Sequence, residues 1–234
     1  MKYPPYPKYR DSGVEWLGEI PAHWGTRTVK RLVRIEEGGT PSKDQGEFWS
    51  GEIPWVSPKD MKSRVVVDTL DKITEEGVRQ SATRFIPEGA VLMVVRSGIL
   101  NHSIPVAMAG QRLTVNQDLK ALIAGPDMAP EYLMWLIEGH QPAFLVEWRK
   151  EGATVESLEL DLIRSTRLPL PEPSEQRAIA AFLDRETAKV DALVTKTRDA
   201  INRLNEYRTA LITAAVTGKI DVRTHVTPAR FSPG

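Results

Sequence analysis

From Ser174 to Thr217 the chain holds neither proline nor glycine, so the residues that most readily end a helix are missing from a run far longer than an ordinary strand. Apolar or small residues recur through it at Ile179, Leu183, Val190, Leu193, Thr197, Ala200, Leu204, Tyr207, Leu211 and Ala214. Their gaps of three, four and seven match heptad a and d positions, with Glu186 the one charged intruder. The spacing predicts a single helix over 174–217, about 60 Å long. Phe182, Val194, Ile201 and Ile212 widen the stripe, so more than one helix can pack on it. Ser174 suits the N-cap, Glu175 puts negative charge in the first turn, and Gly218 stands at C′. Glu186 with Lys189 and Asp199 with Arg203 have the spacing of surface ion pairs. No second helix of this length is visible, so the stripe predicts a partner; the alternative is a helix folded back on its own head.

Composition changes sharply ahead of the helix. All six tryptophans lie at or before Trp148, and all but two of the 17 prolines at or before Pro173. The boundaries are a head over 1–155, a connecting segment over 156–173, the helix over 174–217 and a polar tail over 218–234. In the connecting segment Pro169, Pro171 and Pro173 alternate with Leu170 and Glu172, which makes an extended, stiff lead-in. Within the head, Val91–Val95 lies between turn residues and reads as a buried strand. Val65–Val67, Val106–Ala109 and Leu119–Ile123 are similar. Pro130–Ile137 reads as a helix with proline at its first position. The fold class is therefore α+β (mixed): a globular head followed by a long, coiled-coil-forming α-helix, without the βαβ alternation of a doubly wound sheet.

Much chemistry is excluded. The chain has no cysteine, which removes disulfide frameworks, Cys-ligated metal and thiol catalysis. No phosphate-binding Gly-x-x-x-x-Gly-Lys loop, Asn-Pro-Pro-aromatic methyltransferase signature or Gly-x-Ser-x-Gly elbow occurs. The four histidines are scattered without metal-ligand spacing, so no metal site and no catalytic residue is expected. No run of about 18 apolar residues is present, and the opening lacks a secretory pattern, so the expected location is the cytoplasm.

Other strings are more particular. Ser12–Trp24 opens the chain with Glu15-Trp16-Leu17-Gly18-Glu19-Ile20-Pro21 at its centre. Gly38-Gly39-Thr40-Pro41-Ser42 follows, then Gly51-Glu52-Ile53-Pro54-Trp55-Val56-Ser57-Pro58-Lys59 and Asn116-Gln117. Glu175-Gln176-Arg177-Ala178-Ile179-Ala180-Ala181-Phe182-Leu183-Asp184 starts the helix, and Val216-Thr217-Gly218-Lys219-Ile220-Asp221 ends it. In this order, over about Ser12 to Asp221, the set resembles the specificity (S) subunit of type I restriction–modification systems. The resemblance implies a target recognition domain that reads a DNA half-site and a helix that sets a spacer and docks DNA methyltransferase (M) subunits. It also implies that the chain is not itself an enzyme. S-adenosylmethionine, ATP and Mg²⁺ would belong to the methyltransferase and to a restriction/translocase (R) subunit.

Members of that family carry two heads and two helices in tandem, whereas this chain has one of each. It is either a natural half-subunit or a truncated piece of a longer one; the expectation is a half-subunit, a homodimer whose helices pack antiparallel through Ile179, Leu183, Val190, Leu193, Leu204, Tyr207 and Leu211. A symmetric pair reads an inverted repeat on double-stranded DNA, split by a spacer. The alternatives are the recognition subunit of a related combined restriction–methylation enzyme and a coiled-coil interaction protein with no DNA role.

Candidate DNA contacts follow from residue type. Gly38, Gly39, Thr40 and Ser42 offer bare amides and hydroxyls to a phosphate, or form a tight turn. Ser57, Lys59 and Lys62 lie at a strand end beside Trp55, itself expected in the core. Arg96, Ser97 and Asn101 leave the buried strand in a polar loop, where Arg and Asn suit guanine and adenine edges; the alternative is a loop that only caps its own strand. Arg79 and Arg84 are further cations for which a solvated surface is the favoured alternative. Lys and Arg total 31 against 31 Asp and Glu, but residues 1–173 carry 21 against 24, a net of −3. A head with that balance can hold DNA only if its cations gather on one face.

Overall fold

The computed structural model describes residues 3–223, and its chain divides into two compact units that meet between Phe182 and Leu183. The elements of the first unit are β1 (Tyr9–Asp11), β2 (Glu19–Pro21), β3 (Gly25–Thr28), α1 (Val29–Leu32), β4 (Val33–Glu37), β5 (Trp49–Val56), β6 (Val65–Val66), β7 (Lys72–Ile73) and α2 (Glu75–Arg79). They continue with β8 (Val91–Val94), β9 (Val106–Ala109), β10 (Thr114–Val115), β11 (Leu119–Ala124), α3 (Pro130–Gly139), α4 (Gln141–Glu147), α5 (Leu160–Ser165) and β12 (Arg167–Leu170). The helix α6 (Pro173–Val216) starts in this unit and supplies the second.

A five-stranded sheet in the order β4-β11-β8-β9-β6 organises the head, antiparallel except for the β6–β9 edge. Both of its faces are covered, which is why β8 reads as an unbroken apolar run. Its side chains alternate between two cores: Val91 and Met93 enter one, Leu92 and Val94 the other. The first core takes Leu32, Leu133, Leu136, Ile137, Phe144 and Trp148 from α1, α3, α4 and the residue after α4. The second is closed by Val56, Ile86, Leu113 and Val115. Phe144 stacks on Trp148 with ring centroids 4.1 Å apart, and the Trp148 indole donates to Thr166 Oγ1 at 2.7 Å. The strands and the helix expected around residues 65, 91, 106, 119 and 130 all form, with ends displaced by no more than a few residues.

The segment 156–173, expected as a connector, is built into the head. Its α5 buries Ile163, and β12 pairs antiparallel with β3 in the register Arg167↔Thr28 to Leu170↔Gly25. The first turns of α6 belong here too. Gln176 is fully buried, accepts the Ala129 amide at 2.8 Å through Oε1, and donates through Nε2 to the Asp127 and Pro171 carbonyls at 2.9 Å each. Ala180 is buried and Ile179 packs on the first core, so Ile179, expected to face a partner helix, serves the head instead. Glu175 accepts from Tyr6 Oη at 2.9 Å and lies 3.1 Å from His23 Nε2. Burial alone would raise the Glu175 pKa, but these hydrogen bonds hold its carboxyl below the usual range. Burial and the same hydrogen bond push the Tyr6 hydroxyl up to about 12.

The helix begins at Pro173 rather than Ser174. The Gln176 amide donates to the Glu172 carbonyl at 3.0 Å, which puts proline in the first turn, where its missing N–H costs nothing, and Ser174 inside the helix rather than at its cap. At 44 residues α6 is about 66 Å long. In the second unit Leu193, Leu204 and Tyr207 are 65%, 66% and 66% exposed, and Val190, Ile201, Leu211 and Ile212 are also exposed. The Glu186–Lys189 pair forms at 2.8 Å; the Asp199–Arg203 pair is absent from the ion pairs among the described residues. The end is as expected. Gly218 has φ 71°, its amide donates to Ala215 and the Lys219 amide to Ala214, a Schellman arrangement that a Cβ at residue 218 would strain. The expected polar tail lies outside the described residues beyond Arg223.

Candidate nucleic-acid interface

Several expected contacts are engaged within the head. A Cβ on Gly38 would collide with the Asn116 carbonyl, and one on Gly39 with the Thr83 amide nitrogen, so close backbone approach accounts for both glycines. The Gly39 amide donates to Val115 at 3.0 Å and its carbonyl accepts the indole N–H of Trp55, a core residue, at 2.9 Å. Ser42 is exposed, its carbonyl accepting from Trp49 Nε1 at 3.0 Å. Ser57 is buried as the cap of the short 3₁₀ turn Pro58–Asp60, its amide and hydroxyl donating to Asp60 Oδ2 at 2.9 and 2.7 Å. Lys59 pairs with Asp71 at 2.7 Å, and it shares a shallow depression with Lys62, Asp60 and Asp68, a balanced lining with little pull on a phosphate. Arg79 pairs with Glu76 one turn earlier on α2, and Arg84 donates to the Ser81 and Thr83 carbonyls at 3.3 and 3.0 Å.

The remaining candidates converge. Bridges Arg96↔Ser157 and Arg149↔Leu158 close the segment after α4 over the end of β8. Asn101 Oδ1 accepts from Arg149 Nη2 at 3.2 Å, and Arg149 is held in turn by Glu156 at 2.7 Å. Ser97 Oγ accepts the Ile99 amide at 3.4 Å and turns the loop. Arg96 Nε lies 3.2 Å from Asp118 Oδ1; its terminal amino groups make no hydrogen bond among the described residues. Lys150 and Thr154 line the same cleft as Arg96, with Lys150 held 3.5 Å from Glu159. Asp118 links this cluster to the glycine turn: its Oδ2 accepts from Asn116 Nδ2 at 3.1 Å, and neighbouring Gln117 accepts from Thr40 Oγ1. Thr40, Gln117, Asp118 and Arg96 form one polar group and Asn101 and Arg149 a second, and the Arg96↔Ser157 bridge and the Ser97-to-Glu156 backbone bond set the two side by side as one rim.

Such a rim has the chemistry of base readout. Arg96 and Arg149, already positioned by carboxylates, lose little freedom on binding, and the terminal N–H groups of Arg96 match a guanine edge, while Asn101 is held through its Oδ1 by Arg149 and through its Nδ2 by the Gly98 carbonyl at 3.3 Å. Arg149, Lys150 and Asp118 were not among the sequence candidates. The Arg96↔Ser157 bridge and the backbone bonds from Ser97 to Glu156 and from Leu158 to Val95 bring residues so distant in the chain to the end of β8, and nothing local to Arg149-Lys150 signals it. Among the described residues no group of three or more His, Asp or Glu could hold a metal ion, and no helix is long and apolar enough to cross a membrane.

Comparison with known proteins agrees with this architecture. Residues 21–203 match the family model described as the type I restriction modification DNA specificity domain. The chain is 36% identical over 203 residues to the specificity subunit of the type I restriction enzyme EcoR124I/EcoR124II of Escherichia coli, an alignment covering 86% of this chain and 46% of that protein. It is 30% identical to the MjaIX specificity subunit of Methanocaldococcus jannaschii, across 71% of this chain and 38% of that one. A chain from a solved structure of type I R-M system assembly superposes with TM-score 0.68 at 18% identity, covering 84% of this chain and 46% of that chain. The chain therefore spans less than half the length of each of these relatives. With its mixed α/β head and long helix, it belongs to the type I restriction–modification DNA specificity family.

Proposed function

We propose that this chain is a non-catalytic recognition subunit: the head binds one DNA half-site through the Arg96–Asn101–Arg149 rim, and α6 pairs antiparallel with a second copy. The paired helices set the spacer and dock the methyltransferase subunits. Methyl transfer with S-adenosylmethionine, and ATP- and Mg²⁺-dependent translocation and cleavage, are the work of the M and R partners in the cytoplasm. The observation that carries this reading is the exposed apolar stripe on α6, from Val190 to Ile212, in a chain whose head has cores of its own. An unpartnered stripe of this length is satisfied by another helix. The assembly needs the partners because the head's net charge of −3 gives it little non-specific hold on duplex DNA.

Two identical heads related by a two-fold axis read inverted half-sites. Methylome sequencing of a host carrying this chain with its methyltransferase is expected to show a split palindrome. A lengthened α6 is expected to change the spacer and leave the half-site sequence intact. An asymmetric bipartite motif from this chain alone would overturn the symmetric reading.

Arg96 gives a sharper test of the rim. Arg96→Ala is expected to relax discrimination at one half-site position, losing about 1–3 kcal/mol there, with little change at the others. Selection from a randomised duplex pool measures it. Equal weakening on every sequence would place Arg96 on a phosphate instead.

A further inference from the structure

The head's cations do gather, but in a place the motifs did not mark. A groove between β3, α1 and β12 is lined by Thr26, Arg27, Thr28, Lys30, Arg31 and Arg167, with no acidic and no apolar residue among them. The local fold dictates the arrangement. α1 turns Val29 and Leu32 into the core, so the helical period leaves Lys30 and Arg31 outside. The β3–β12 register sets Arg167 opposite Thr28, and Arg167 Nη2 donates to Thr26 Oγ1 at 2.6 Å. Arg27 is already paired with Asp127, while among the described residues the Arg167 guanidinium is bonded only to a neutral hydroxyl and neither Lys30 nor Arg31 has an ion-pair partner. Thr28 Oγ1 is buried in this lining without a hydrogen-bond partner among the described residues. In the sequence the same region is an acid-free run from Ile20 to Ile35 that holds Arg27, Lys30, Arg31 and Arg34.

We propose that this groove seats the phosphodiester backbone of duplex DNA and supplies sequence-independent affinity beside the base-reading rim. The proposal rests on the DNA-binding reading above. Guanidinium groups with adjacent hydroxyls are the common partners of phosphate oxygens. The cores of protein–protein interfaces, by contrast, are enriched in aromatic residues and depleted of charge, and this lining has no apolar member. Three uncompensated cations in a head of net −3 are placed where a polyanion recovers the most.

The test uses the full chain, alone and with its methyltransferase subunit, on two labelled duplexes of unrelated sequence. Binding is followed by anisotropy across a salt series for the wild type, for the Lys30→Glu/Arg31→Glu double variant, and for Lys30→Arg/Arg31→Lys. Both positions are exposed, so the thermal midpoint should not move. The expected result is a log–log salt slope shallower by about two in the charge-reversed variant, with equal loss of affinity on both duplexes and near wild-type behaviour in the conservative variant. A wild type that binds with a steep slope, and a charge-reversed variant with that slope intact, would overturn the groove while leaving the DNA-reading function standing. Loss confined to methyltransferase association would overturn it in favour of an acidic protein surface. A wild type that shows no salt-dependent duplex binding in either form would sink the proposed function itself, and the groove with it.

Discussion

Gln176→Ala lowers the stability of the head by about 3 kcal/mol, because it strands the buried Ala129 N–H and the buried Pro171 carbonyl, which each cost about 1–3 kcal/mol when unpaired, and takes the donor from the part-buried Asp127 carbonyl. The three partners, Ala129, Asp127 and Pro171, come from the loop before α3 and from the lead-in to α6. One fully buried amide therefore ties the start of the long helix to the head. For a chain of this size the loss corresponds to a fall in thermal midpoint of roughly 6–12 °C, which calorimetry reads directly. Gln176→Met separates the causes. It keeps most of the volume and none of the polar pairing, so it should be nearly as damaging as alanine. Recovery of stability in that variant would mean that the cavity, and not the hydrogen bonds, carries the effect.

Leu204→Glu/Leu211→Glu is expected to convert the proposed dimer to a monomer while the head melts at its wild-type temperature. Both leucines are exposed in the single chain, at 66% and 46%, so the fold of one copy does not depend on them. In an antiparallel pair the two substitutions remove four buried leucines, at about 1.5–3 kcal/mol each. A loss of about 6 kcal/mol weakens the dimer by roughly four orders of magnitude in Kd before the cost of burying glutamate is counted. Sedimentation of wild type and variant at micromolar concentration gives the answer. A wild-type monomer, unchanged when the methyltransferase subunit is added, would remove the paired-helix model.

The two ends of α6 show how unevenly local signals carry. Gly218 was legible as a C′ residue because only glycine takes that left-handed conformation without strain, and the structure places it there. Ser174 looked equally clear as an N-cap, yet proline at the first helical position and the bond from Gln176 to Glu172 start the helix one residue earlier. Ile179 fits the heptad as well as Leu204 does, but the head claims it. The heptad pattern records that a residue is apolar on one face; it holds no information about which neighbour covers that face.

The DNA candidates divide along the same line. Residue type nominated Arg96, Asn101, Lys59 and the glycine turn with similar strength, since a lone cation or a turn glycine carries no record of its surroundings. Tertiary contacts separate them. Gly38 and Gly39 are explained by backbone approach, Ser57 by its cap, and Lys59 by Asp71, while Arg96 and Asn101 are joined to Arg149 and Lys150 across some fifty residues of chain. The mixed head, the long helix and the family can be read along the chain, because strand burial, heptad spacing and an ordered set of motifs are local or collinear properties. That residues 156–182 belong to the head, which cations lie together and which are neutralised all depend on contacts between distant residues. Strand pairing and long-range hydrogen bonds, such as those of Gln176, bring together positions that no spacing rule relates.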